Sequence, residues 1–120
     1  MHELSIALSI VEMASEEAAR HGAARVSTLR LKLGALSGVA KEALTFSFEI
    51  ACEGTPLEGS QLVIEDVPVV SHCARCEIDE EINSIQDLCC PRCGELTQEI
   101  IQGRELELVS LELEGIEEVA

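Results

Sequence analysis

Aromatic residues are nearly missing: among 120 residues there is no Trp or Tyr, and Phe46 and Phe48 are the whole set. A core built from this chain must be aliphatic, and the stacking platforms on which single-stranded nucleic acids lie are wanting. Positive charge is scarce as well, with 8 Lys and Arg against 23 Asp and Glu, for a formal net charge of −15 at pH 7. Such a field repels phosphate backbones and anionic lipid, so neither nucleic acid nor a membrane surface is an expected partner. No apolar run approaches the roughly 20 residues that cross a bilayer, which excludes a membrane-inserted helix. Residues 1 to 20 are broken by Glu12, Glu16 and Glu17 and lack a basic start followed by an apolar stretch, so they do not read as an export signal. A cytoplasmic protein is expected, and at this length it holds one compact domain or one domain carrying a small module.

The acidity is uneven. Residues 1–57 set five basic against seven acidic groups, whereas residues 58–120 set three against 16. A charge run of this kind is usually a solvating coat; attraction for cations or for a basic partner surface is the functional alternative.

Apolar periodicity supplies the elements. Leu4, Ala7, Leu8, Val11, Ala14 and Ala18 recur at spacings of three and four and predict an amphipathic helix that Gly22 stops. From Val26 the period becomes two, with Leu29, Leu31 and Leu33 on one face of a strand and Thr28, Arg30 and Lys32 on the other. Gly34 to Gly38 reads as a turn, with Ser37 a candidate cap for a second helix carrying Ala43, Leu44, Phe48 and Ala51. A strand over Leu62 to Glu65 follows, and Pro68 marks its end or a sheet edge. Strand character returns in Glu99–Ile101 and from Leu106 to Leu113, with a turn at Gln102-Gly103 and a parity change between Leu108 and Val109 that suggests a bulge. The fold class is α+β: a small sheet with two helices formed by residues 1–70 and 98–120, and a cysteine-rich domain over residues 71–97 inserted between two strands of that sheet.

Cys73-Ala-Arg-Cys76 and Cys90-Pro-Arg-Cys93-Gly94 form two Cys-x-x-Cys knuckles separated by thirteen residues. Two residues between cysteines let one tight turn aim both sulfurs at a common ion, and two such turns complete a tetrahedral thiolate set suited to Zn2+. A rubredoxin-like iron site and two redox-active pairs are the rivals. Four thiolates leave no position for water or substrate, which makes the ion structural. Besides cysteine this stretch has only Ala74, Ile78, Ile82, Ile85 and Leu88 as apolar residues, so metal binding must supply folding energy. Cys89 is an alternative to Cys90 at spacing three, the Cys-Pro-x-Cys-Gly form favouring Cys90. Cys52 reads as a buried small apolar residue. His72 beside the first knuckle reads as a solvated histidine or an alternative ligand, and His21 as a helix-end residue.

At the amino terminus, the amine of Met1, the amide nitrogen of His2 and its Nδ1 can close two fused chelate rings, and Glu3 can fill a fourth corner through its amide or carboxylate. Such nitrogen-rich, square-planar ligation suits Ni(II) or Cu(II). A frayed terminus is the competing reading of these three residues.

Taken together, the Met1-His2-Glu3-Leu4 opening, the His21-Gly22 helix end, the strand from Val26 to Gly34, the knuckles at Cys73, Cys76, Cys90 and Cys93 and the closing strands resemble the HypA/HybF family of hydrogenase nickel-incorporation proteins, over essentially the whole chain. The resemblance implies a nickel metallochaperone and not an enzyme: a nickel-binding α/β domain with an inserted zinc-ribbon-like domain, delivering Ni2+ cargo during maturation of nickel–iron (NiFe) hydrogenase. It implies His2 as the essential nickel ligand, with Met1 and Glu3 assisting, and the four cysteines as ligands of structural Zn2+. It implies a HypB-type GTPase and the hydrogenase large-subunit precursor as partners. Some relatives place a carboxylate where this chain has Ala40, followed here by Lys41 and Glu42. A zinc-ribbon interaction adaptor without nickel transfer is the alternative function; a nucleic-acid-binding ribbon would want more basic residues than Arg75 and Arg92 around the knuckles. Hydrogenase or urease as the enzyme served, and monomer or homodimer as the assembly, stay open at this point.

Overall fold

The structure, a computed structural model, describes residues 2–82, 88–96 and 99–116, and of His2 the backbone alone. Two compact units form, one from Met1–Leu31, Val39–Ile64 and Leu108–Ala120, the other from Lys32–Gly38 and Glu65–Glu107. The elements run α1 (His2–Arg20), β1 (Arg25–Gly34), α2 (Lys41–Cys52), β2 (Gln61–Val67), β3 (Val70–Cys73), β4 (Ile78–Glu81), β5 (Glu99–Gln102) and β6 (Leu106–Glu114). They make two three-stranded sheets, in the orders β2-β1-β6 and β4-β3-β5. The class is α+β, as the patterning predicts.

In the first unit α1 and α2 pack together over Val26, Leu29, Leu31 and Leu57. The buried stripe of α1 is Ala7, Ile10, Val11, Ala14 and Ala18, whereas Leu4 and Leu8 are 40% and 52% exposed. The predicted stripe is therefore rotated. Helix α1 has more apolar positions than one face can hide, and the three alanines, whose small side chains admit close approach, select the arc that packs. Gly22 ends the helix as expected: its φ is +69°, the Ala23 N–H donates to Ala18 O at 2.8 Å and the Gly22 N–H to Ala19 O at 3.1 Å. That hydrogen-bond pair is the Schellman arrangement, which satisfies carbonyls the helix itself leaves open.

On β1 the alternation is as read, with Leu29, Leu31 and Leu33 buried. Helix α2 buries Leu44, Phe48, Ala51 and Cys52 but leaves Ala43 and Phe46 exposed. Its N-cap is Ala40, not Ser37, and no side chain caps it. Strand β2 closes before Pro68 and lies at a sheet edge. Along β6, partial burial passes from Leu108 to Leu111 and Leu113 while Val109 stays exposed, so the parity shift falls between Leu108 and Leu111.

In the second unit β3 pairs antiparallel with β4 on one side and with β5 on the other, Val70 facing Glu81 and Gln102. The sequence reading joins Glu99–Ile101 to the main sheet; the structure pairs that strand with β3, so that the chain leaving the second knuckle runs alongside the strand that enters the first. Neither β3 nor β4 announces itself by periodicity. Of their eight residues, only Ser71 is fully buried. Residues 34–36 bind the stems of this sheet: the Gly34 N–H donates to Glu105 O at 2.7 Å, Ala35 N–H to Val67 O at 3.1 Å and Leu36 N–H to Gly103 O at 2.6 Å. A Cβ on Gly34 would overlap the Gly103 carbonyl, so only glycine permits this approach.

Candidate metal centre

The first knuckle hangs on the β3–β4 hairpin. Cys73 ends β3 opposite Ile78, and Cys76 lies in the intervening turn. The Glu77 N–H donates to Cys73 O at 2.7 Å, with Glu77 in the left-handed region at φ 55°. The second knuckle repeats the device: the Gly94 N–H donates to Cys90 O at 2.8 Å, with Gly94 at φ 77°. Glycine takes that conformation freely, whereas Glu77 adopts it against its side chain's preference. Each turn thus closes by the same bond four residues on, and each presents its sulfurs inward.

The Sγ atoms of Cys73, Cys76, Cys90 and Cys93 all lie within 4.8 Å of one another. Cys73 and Cys93 sulfurs are 3.6 Å apart and those of Cys76 and Cys90 3.9 Å. Four sulfurs held about 2.3 Å from one zinc ion stand about 3.8 Å apart at tetrahedral corners, so the donor set fits. A disulfide needs sulfurs at about 2.05 Å, and all four cysteines are free thiols here. The cluster is compatible with a structural metal such as zinc.

Local electrostatics distinguishes the four thiols. The backbone amides of Cys93 and then Arg92 hold Cys90 down at about 7. Cys76 is pushed up to about 12, first by its hydrogen bond to Cys93 and then by burial. The amide nitrogen of Cys76 also donates to the Cys73 sulfur at 3.4 Å. A divalent ion displaces these protons, since thiolates are the ligands.

Cys90 and not Cys89 belongs to the cluster; Cys89 forms a lone β-bridge with Leu96. The Nδ1 of His72 lies 2.7 Å from Asp79 Oδ1 across the β3–β4 ladder, so this ring is engaged by a carboxylate. His21 pairs with Glu17 one turn earlier at 3.1 Å. Cys52 is buried, and desolvation, then Glu49, raises its thiol to about 11. Of the candidate nickel ligands, Met1 lies outside the described residues, as does the side chain of His2, whose backbone opens α1. Glu3 is half-buried, and its Oε2 accepts the Ala40 N–H at 3.2 Å. Ile85, one of the few apolar residues of the cysteine-rich stretch, is also outside the described residues.

At the knuckles, two arginine–carboxylate pairs escaped the sequence reading. Arg75 NH1 lies 3.6 Å from Glu95 Oε1, and Arg92 Nε 2.8 Å from Glu80 Oε1. The available signal was the arginine immediately before the second cysteine of each knuckle.

Comparison with known proteins matches residues 1–113 to the family model described as HypA, hydrogenase/urease nickel incorporation, metallochaperone. A hydrogenase maturation factor HypA from Chloroflexus aurantiacus is 52% identical over 112 residues, covering 93% of this chain and 98% of the relative. One from a Roseiflexus species is 47% identical over 114 residues, covering 95% and 93%. The solution structure of the Ni metallochaperone HypA from Helicobacter pylori superposes with a TM-score of 0.65 at 26% identity, covering 93% of this chain and 97% of that one. A second solution structure of a HypA protein gives 0.69 at 27% identity, with 94% and 96% covered.

Proposed function

The chain belongs to the HypA family of nickel-incorporation metallochaperones in hydrogenase maturation, a family of maturation factors and not of enzymes, and from this premise we propose that it carries Ni2+ at its amino terminus and hands it on. The nickel ligands in this reading are His2, through Nδ1 and its amide, the Met1 amine, and Glu3. The observation that carries it is the placement of the terminus: α1 begins at His2, and Glu3 is tied to Ala40 at the start of α2. The His2 backbone and Glu3 are thereby tethered, which lowers the entropy lost when this end of the chain wraps an ion. With one Glu3 oxygen engaged by Ala40, the main-chain nitrogen of Glu3 is the donor we favour for the fourth corner. Few, exchangeable nitrogen donors suit a cargo that must leave again.

The division of labour assigns nickel to the unit that opens with Met1, and structural Zn2+ to Cys73, Cys76, Cys90 and Cys93 within residues 71–97. A metal bound there supplies folding energy to a stretch poor in apolar side chains and leaves no open coordination position. Membership in a hydrogenase maturation family implies dealings with the maturation machinery; the partners we infer are a HypB-type GTPase and the NiFe-hydrogenase large-subunit precursor. Among the described residues no helix is long and apolar enough to cross a membrane, in keeping with the cytoplasmic site of action we propose.

Nickel titration by calorimetry tests the reading, on protein with its native terminus, on His2→Ala, and on a form carrying one extra residue before Met1. Stoichiometric uptake by the native form, with at least about tenfold weaker binding by both others at unchanged zinc content, is expected from loss of the chelate. Equal uptake by all three would refute it.

A further inference from the structure

The two arginines of the knuckles reach in opposite directions. Arg75 sits in the first knuckle, and its carboxylate partner Glu95 follows the second. Arg92 sits in the second, and its partner Glu80 is on β4, the strand leaving the first. Each pair therefore spans the two sulfur-bearing turns, and the two are reciprocal. We propose that Arg75–Glu95 and Arg92–Glu80 form a clasp that holds the two knuckles together around the bound ion and slows its release. The proposal rests on the reading of the four cysteines as a zinc site.

Three observations support it. Both arginines occupy the same place in their knuckles, directly before Cys76 and Cys93. The Arg92 bond is short at 2.8 Å, and Glu80 is the less exposed partner, with a side chain 27% accessible against 66% for Arg92. Its second oxygen, Oε2, is buried without a partner among the described residues, so Arg92 is the cation on which that carboxylate depends. By contrast, the contacts within each knuckle, Glu77 to Cys73 and Gly94 to Cys90, close a single turn and do nothing to bring the two turns together.

Opening the site for a competing chelator requires the knuckles to part, and the clasp adds two ion pairs to what must break. Exposed pairs are individually weak and screened by salt, which gives the device a signature that packing lacks. The test is the rate at which the zinc-loaded full chain gives zinc to an excess of a chromophoric chelator, at low salt and in 0.5 M sodium chloride. Arg75→Gln with Arg92→Gln is expected to release zinc roughly tenfold faster at low salt, with each single change giving about threefold. Wild-type release should quicken with salt and release from the double variant should not. The exchange of Arg92→Glu with Glu80→Arg should restore slow release. Rates in the double variant equal to wild type, or failure of the charge exchange to restore them, would overturn the clasp. Zinc loading separates this from the underlying reading: the double variant is expected to take up zinc to the same stoichiometry as the wild type, so that its faster release reflects the lost pairs alone, and a double variant unable to load would also overturn the clasp. A wild-type chain that takes up no zinc would instead overturn the zinc assignment.

Discussion

Cysteine does two unlike jobs in this chain, and environment alone separates them. Cys52 has 4% of its surface exposed on the inner face of α2, and its thiol is raised to about 11 because burial, helped by Glu49, penalises the thiolate. A raised pKa means that the neutral form is favoured by folding. The corresponding stability is complete below the ordinary thiol value of 9.0 and disappears as pH climbs through about 11. Thermal melts between pH 8 and 11 should therefore show an alkaline loss of stability that is smaller in Cys52→Ala than in the wild type; parallel profiles would contradict this account. Cys90, two backbone amides pointing at its sulfur, is pulled the other way. Sequence made the broad distinction legible, since spacing marks ligands and helical position marks core. It could not register Glu77, which takes the left-handed turn that Gly94 takes in the second knuckle, because nothing in a glutamate advertises that conformation.

Elements were legible where one face is wet. The period of two along β1 and the period near 3.6 along α2 survive in the structure because each buries one side only. Helix α1 was harder: Leu4, Leu8 and Met13 widen its apolar arc beyond the contact, and spacing cannot say which edge is left over. Strands β3, β4 and β5 have four residues each, too few for a period, and owe their existence to the turns that join them. Ser37 has the chemistry of a cap, yet the cap falls three residues later at Ala40, whose backbone is extended (φ −78°, ψ 117°) and whose side chain makes no capping bond. At this scale Gly34 is the most exacting position. Gly34→Ala forces a methyl into the Gly103 carbonyl and should cost about 1–3 kcal/mol, the range of overpacking, in urea denaturation. A change at Ala35, which is exposed, should cost little; equal costs at the two sites would show that the approach is not tight.

For the whole molecule, the two units have unequal means of staying folded. The helix-bearing unit has a contiguous apolar core from Ala7 to Leu57, whereas in the other Leu33, Val67, Val69, Ile82 and Cys90 are the buried apolar side chains among the described residues. Stripping the metal with a strong chelator, or replacing Cys73 with Ala, should unfold the knuckles while far-ultraviolet circular dichroism retains the helical signal of α1 and α2. Loss of that signal along with the metal would mean that one cooperative fold includes both.

The β3–β5 ladder has a practical corollary. Because Val70 stands beside Gln102, the chain leaves the sulfur-bearing segment within one strand spacing of where it entered. Such a segment behaves as a cassette: cut at these neighbouring points, it could be exchanged for a tight hairpin or grafted between paired strands of another host, carrying its ion along.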